Sequence, residues 1–345
     1  IKGLSINQYQ QAGAVIFNQS KNILIVFLAA EAVVKGELTL GMMMAVQFII
    51  GQLNSPIEQM ISFIRSTQDA KISLERLGEI HQREDEENVE DPKITAIPTK
   101  RSISTKDLSF QYDGPHSDFV LQDINMKIPE NKVTAIVGPS GSGKTTLVKL
   151  LLGFYPPVKG EIRIGDTNLT TMSNRTWRQH CGAVMQDGFI FSDTIANNIA
   201  VGEEIIDNEK LFHAVKVANI QEHIESLPLS YNTKIGMEGI GLSQGQKQRI
   251  LIARAVYKNP EFLFFDEATN ALDANNEKII LENLDDFYKG KTVLIIAHRL
   301  STVKDADQII VLEKGKVTEK GTHEELKKLK GSYFNLVKNQ LELGD

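Results

Sequence analysis

The segment that most constrains this chain is residues 131–150, NKVTAIVGPSGSGKTTLVKL. Its apolar run, Val133 to Val137, reads as a buried strand. A turn follows through Gly138, Ser140, Gly141, Ser142 and Gly143 to Lys144 and Thr145, matching G-x-x-x-x-G-K-[ST]. An amphipathic helix is predicted from Thr146. Each part has a physical task. Glycines let the backbone curl until its N–H groups converge on phosphate oxygens. A helix N-terminus adds positive potential behind them. The spacing lets Lys144 reach the β- and γ-phosphates of a nucleotide and Thr145 ligate Mg²⁺. A glycine- and serine-rich turn can match by chance, but the strand before and the helix after make this match specific.

A second apolar run, FLFF at 262–265, ends in Asp266 and Glu267. Carboxylates at the C-terminal end of a strand in an open α/β sheet face the crevice where phosphates bind. Asp266 suits Mg²⁺ through water, and Glu267 suits polarisation of an attacking water. Alone, the two acids are nearly as consistent with a solvated turn; the phosphate loop upstream shifts the balance. A third run, TVLIIAH, ends at His298. From position it is either structural or a contact to a γ-phosphate. These segments imply an α/β P-loop NTPase using ATP and Mg²⁺.

Composition divides the rest. Residues 1–64 are apolar but interrupted, 65–100 are charged, and 100–345 alternate short apolar runs with helical patterns. The first zone holds two stretches, Gly13–Val34 and Leu38–Phe63, each near the roughly 20 residues that cross a bilayer. Both carry polar residues, among them Asn18, Lys21, Asn22, Glu31, Gln47 and Asn54. Two readings fit: core helices of a soluble helical domain, or spanning helices whose polar side chains face a bundle interior or water-filled path. Lys35-Gly36-Glu37 reads as a tight turn between them. The acidic run REDEENVEDP is a solvated linker by composition. The predicted boundaries are 1–80 for the two helices, 81–99 for the linker and 100–345 for the nucleotide-binding domain. The net charge of −6 argues against a broad basic surface for nucleic acid. The single cysteine, Cys181, rules out an intrachain disulfide framework and reads as a buried strand residue.

Between the two nucleotide motifs, LSQGQ at 242–246 leads into KQRILIARAVYKNP and FLFFDEATNALD. This order resembles the signature region of the ATP-binding cassette (ABC) family, usually LSGGQ, and the resemblance covers essentially all of 100–345. It implies a helical subdomain and further roles. Tyr112 would stack on adenine, and Gln186 would sense Mg²⁺ and the γ-phosphate. Thr146 would join the phosphate contacts. Ser243, Gly245 and Gln246 would contact the γ-phosphate of a nucleotide held by a second copy, and Asp273 would link the copies. His298 would be the switch histidine. A helix starting after LSQGQ would aim its positive end at that phosphate, and Ser243 would also cap it. Gln244 departs from the family's glycine, Asn270 from its serine, and Met237 from its glutamate.

DAKISLERLGEI with Arg76, MQDGFIFSDTIANNIAVG, and DADQIIVLEKGKVTEKGTHEEL resemble ABC exporters, with details similar to bacterial peptide and bacteriocin transporters. The resemblance implies a homodimeric half-transporter in a bacterial cytoplasmic membrane, its ATPase on the cytosolic side. It further implies that 1–80 ends an all-α transmembrane segment and that 100–345 is an ATPase. Residues 1–64 would then be the last two of six helices, with the others preceding Ile1, and the exported substrate a peptide. The alternative expectation is a soluble cassette ATPase with a helical partner-binding domain.

Overall fold

The computed structural model describes residues 2–81, 86–87, 93–114, 117–237, 239–297 and 299–342. The chain divides into two compact units, 1–85 and 86–345.

The first unit is a helical hairpin of α1 (Lys2–Val34) and α2 (Leu40–His81). Gly36 makes the turn at φ 80°, a conformation a side chain would strain. Lys21 Nζ donates to Asn54 Oδ1 across the hairpin at 2.9 Å. Ala12–Val34 and Leu40–Glu79 are long and apolar enough to cross a membrane. Their apolar side chains face outward: Phe17, Phe27 and Phe48 are 83%, 63% and 66% exposed. A two-helix unit in water would leave that surface hydrated, at a cost proportional to its apolar area. The charged segment 65–81 is not a separate helix. It continues α2, whose 42 residues extend about 63 Å, twice the roughly 30 Å of a hydrocarbon core.

The second unit has two main sheets. An antiparallel one runs β2-β1-β4-β5, from β1 (Ile103–Phe110), β2 (Leu121–Ile128), β4 (Lys159–Ile164) and β5 (Thr167–Asn168). The other runs β12-β11-β3-β10-β9-β6. It comprises β3 (Val133–Val137), β6 (Cys181–Val184), β9 (Phe262–Asp266), β10 (Thr292–Ile296), β11 (Gln308–Glu313) and β12 (Lys316–Gly321). All its pairs are parallel except β11–β12. Alternation along the central strands fills two cores. Phe262, Phe264 and Ile136 pack with Leu147, Leu150 and Trp177, while Leu263, Phe265, Ala135 and Val137 pack with Ile250, Ile252 and Leu284. With both faces covered, these strands read as continuous apolar runs.

The helices flanking the first core are α3 (Lys144–Leu151) and α4 (Asn174–Gln179). A helical group follows: α5 (Ile195–Ile199), α6 (Asn208–Val217), α7 (Gln221–Ser226) and α8 (Gln244–Lys258). A short ladder of β7 (Asp193–Thr194) on β8 (Lys234–Ile235) accompanies it. Then come α9 (Ala274–Tyr288), α10 (Leu300–Val303), α11 (His323–Leu329) and α12 (Ser332–Glu342). Cys181 is buried on β6, and burial raises its thiol pKa well above the ordinary value.

The acidic segment is not wholly a solvated tether. Glu87 accepts Ser173 Oγ at 2.9 Å and Arg175 N–H at 3.0 Å. These bonds hold its carboxyl below the usual range, the Arg175 N–H contributing most. Ile94 bridges Met172. Free N–H groups at the start of α4 attract the carboxylate. The rest of the acidic run, 82–85 and 88–92, lies outside the described residues.

Candidate functional site: a nucleotide cleft

The phosphate loop joins β3 to α3, and the helix begins at Lys144, two residues earlier than the sequence suggested. Gly143 precedes it at φ 98°, and a Cβ there would lie 2.7 Å from Leu121 Cδ2. At Gly138 a Cβ would fall 2.0 Å from the Leu312 carbonyl oxygen on β11. The loop therefore needs glycine both for its curl and for its closeness to the sheet.

Ser140, Gly141, Gly143, Lys144, Thr145, Thr146, Gln186 and Glu267 line one open cleft of about 520 Å³, with Val120 and Asn270. Lys144 Nζ donates to the Gly138 and Pro139 carbonyls, both at 2.9 Å, folding over the loop. Burial lowers its pKa, and Glu267 and Asp266 oppose that shift. Thr145 Oγ1 donates to Asp266 Oδ1 at 3.2 Å. Asp266 has no exposed surface, and its Oδ2 is buried without a hydrogen-bond partner among the described residues. Burial raises its pKa; the Thr145 hydrogen bond pulls it back, Glu267 adds to the rise and Lys144 offsets it. A hydroxyl and a half-satisfied buried carboxylate side by side fit a hard divalent cation. Ser142 Oγ is also buried without a partner.

Glu267 stands just past β9 at φ 53°, a region non-glycine residues rarely occupy. Its backbone is held from both sides: the N–H donates to Ile296 O at 3.1 Å, and its carbonyl accepts Gln248 Nε2 at 3.2 Å. Strained geometry of this kind persists when its surroundings over-determine it. Asn270 Nδ2 donates to Glu267 Oε2 at 2.5 Å.

Tyr112 lies beyond β1 and outside the cleft lining. Its ring meets Phe110 and Tyr155 edge-on at 4.9 and 5.5 Å, and its hydroxyl lies 3.1 Å from Thr146 Oγ1. Ser243 caps α8, its Oγ accepting Gln246 N–H at 3.2 Å while Gln246 Oε1 accepts Ser243 N–H at 2.8 Å. The Gln246 side chain is thus engaged locally, in a capping box. A Cβ on Gly245 would sit 3.1 Å from Ala271 O, so α8 already needs a small residue for its own packing. Asp273 caps α9 through Asn276, whose side-chain and backbone N–H groups lower its pKa. None of Ser243, Gly245, Gln246 or Asp273 lines the cleft. Met237 is 94% exposed. His298 lies outside the described residues.

Sequence reasoning passed over Gln248 and the place of Asn270. Gln248 ties α8 to the Glu267 loop twice, since its Oε1 also accepts Ala271 N–H at 3.1 Å. The available signal was a polar residue in helical register with buried Ile252 and Ala255.

The comparisons agree with this geometry. Residues 121–270 match the family model described as ABC transporter. The chain is 40% identical over 316 residues to the toxin RTX-I translocation ATP-binding protein of Actinobacillus pleuropneumoniae, covering 92% of this chain and 44% of that one. It is 39% identical over 316 residues to the alpha-hemolysin translocation ATP-binding protein HlyB of Proteus vulgaris, with coverages of 92% and 44%. It thus spans less than half the length of these curated relatives. A solved bacterial Atm1-family ABC exporter with ATP bound superimposes with a TM-score of 0.74 at 32% identity, over 96% of this chain and 59% of that one. The chain therefore carries an ABC transporter domain, an ATP-binding module, and belongs through it to the ATP-binding cassette family.

Proposed function

We propose that this chain is the motor end of an ABC exporter, hydrolysing ATP to drive export across a bacterial cytoplasmic membrane. The observation that carries the reading is the convergence of Lys144, Thr145, Gln186 and Glu267 on one cleft, with Asp266 buried beside Thr145. The loop N–H groups and Lys144 bind the phosphates, Lys144 exchanging its two carbonyl partners for phosphate oxygens. Thr145 and Asp266 would hold Mg²⁺, with Gln186 at its rim, and the ion would supply charge neutralisation for the nucleotide's phosphates. Glu267 accepts a proton from the attacking water. Tyr112 supplies the adenine platform, and its hydroxyl releases Thr146 when the base docks. His298 contacts the γ-phosphate.

Two copies of 100–345 close head to tail, each completing the other's site with Ser243, Gly245 and Gln246, and Asp273 joins them. Both half-sites keep their motif residues, which favours a homodimer. Residues 1–80 span the membrane and 81–99 connect them to the ATPase; outward-facing apolar helices support this over a soluble partner-binding domain. Relatives named for toxin translocation favour a peptide or protein cargo. Nucleic acid has no place in this reading.

The direct test is Glu267→Gln. Turnover should fall by roughly 10²- to 10⁴-fold, the range of general-base catalysis, with ATP still bound and a closed dimer accumulating. Wild-type turnover in this variant would remove Glu267 from its role.

A further inference from the structure

We propose that Glu277 is a positioning residue that clamps the loop carrying Glu267 to Arg299, just past β10, fixing Glu267 in one setting for ATP hydrolysis. The inference rests on the ATPase reading above and extends it to a residue outside the cleft. Glu277 lies in the first turn of α9, and only 5% of it is exposed. Its Oε1 accepts Thr269 Oγ1 at 3.1 Å, and Thr269 is two residues beyond Glu267. Its Oε2 forms an ion pair with Arg299 Nη1, and Arg299 directly follows His298. One buried carboxylate thus holds both loops, one on each oxygen. A charge-assisted bond is stronger and more directional than a neutral one, and losing Arg299 would strand the buried Glu277 carboxylate away from water.

Packing alone does not set these loops. A cavity lies behind them, bordered by Glu267, Thr269, Arg299 and Thr302, and Thr302 Oγ1 is buried there without a partner among the described residues. Where side chains leave a void, position depends on the directional bonds that remain. Glu277 N–H also donates to the Asp273 carbonyl at 2.9 Å, so the clamp sits one helical turn from the residue assigned to the second copy. A shift of that helix end would carry both loops together.

The test uses the full chain in detergent, with ATP turnover and ATP affinity measured separately. Glu277→Gln keeps the size and the Thr269 acceptor but loses the ion pair. Its kcat should drop roughly 10- to 100-fold, the cost of small misplacements of reacting groups. Its KM for ATP should stay within about two-fold, because the interaction acts in the transition state and not in binding. Thr269→Val, a gentler change, should lower kcat a few-fold with the same split. Glu277→Gln combined with Arg299→Gln should be no slower than the worse single variant, since both break one bond. Lys278→Ala, at the exposed neighbouring position, should behave as wild type. Unchanged kcat in Glu277→Gln overturns the proposal. If that variant fails to fold, unchanged kcat in Thr269→Val overturns it equally. A wild-type chain without turnover would instead sink the ATPase reading, and this inference with it.

Discussion

The phosphate cradle and the LSQGQ segment are both nucleotide motifs, yet the fold treats them oppositely. In the cradle the functional groups already have partners: Lys144 on two carbonyls, Thr145 on Asp266, Glu267 on Asn270. In the surrounding loop Gly138 is buried against β11 and Gly143 against Leu121 of β2, while 139–141 between them are exposed. At LSQGQ, Ser243 and Gln244 are exposed, and the Ser243 side chain bonds within its own capping box. In the function proposed above, one chain would build the first half of a nucleotide site and present the second as surface. The helix start at Ser243 is pre-formed by its capping box, so on that reading a phosphate delivered by a second copy would meet an ordered helix N-terminus.

The largest effect should come from breaking the two halves separately. Lys144→Ala removes the only side-chain cation of the cleft lining, and ATP binding should be lost along with turnover. Ser243→Asp acts on the other half. Aspartate caps helices as well as serine does, so the melting temperature should hold, while a carboxylate aimed at the partner's γ-phosphate should cut turnover by at least about ten-fold. ATP binding to the isolated chain should be unaffected. Mixing the two variant chains provides the sharper test. A head-to-tail pair restores one site, built from the cradle of the Ser243→Asp chain and the signature of the Lys144→Ala chain. Recovered turnover in the mixture supports the division; two inactive proteins that stay inactive together break it.

A smaller effect is expected at Asn270, which belongs to the cradle side although the sequence marks it only as a departure from serine. Its amide orients the Glu267 carboxylate from within the cleft. Asn270→Ser shortens the side chain and loosens that bond, so kcat should fall by about two- to five-fold with ATP affinity retained, in line with one neutral hydrogen bond. Equal losses in kcat and affinity would place Asn270 on the nucleotide instead.

The sequence shows this asymmetry unevenly, for physical reasons. Strands β3 and β9 are legible because burial on both faces forces continuous apolar runs, and the glycines of 138–143 because Gly138 and Gly143 leave no room for a Cβ and Gly141 takes a positive φ. The hairpin turn at Gly36 is legible on the same grounds. The union of 65–81 with α2 is harder to see, because charge density looks like a boundary while local helix propensity carries on through it. The roles of Gln248 and Glu277 escape a linear reading for another reason. They act through contacts with residues 8 to 23 positions away along the chain, which only the packing of α8 and α9 brings close. Tertiary hydrogen bonding leaves no periodic trace, except that a polar residue sits on a buried face.

The subtlest consequence concerns the stability of the cradle. Asp266 has its pKa raised by burial, so in the folded chain its proton is held more tightly than in the unfolded one. The sign follows: stability contributed by the protonated form is present below the unfolded pKa and is lost as pH rises through the folded pKa. At neutral pH the empty cradle therefore carries an unfavourable buried charge, which a bound cation would compensate. Asp266→Asn keeps the shape and the acceptor for Thr145 but removes that charge. Without nucleotide, its melting temperature at pH 7.5 should exceed wild type by about 2–4 °C, the shift expected for roughly 1 kcal/mol in a domain of this size. The gain should shrink as pH is lowered through the raised pKa. Adding ATP with Mg²⁺ should stabilise wild type more than the variant and reverse their order. Thermal scans with and without nucleotide measure both effects. A variant that melts lower than wild type at every pH would mean that Asp266 supports the fold itself, and the cradle would then be less specialised for its ligand than the exposed signature segment it faces across the proposed dimer.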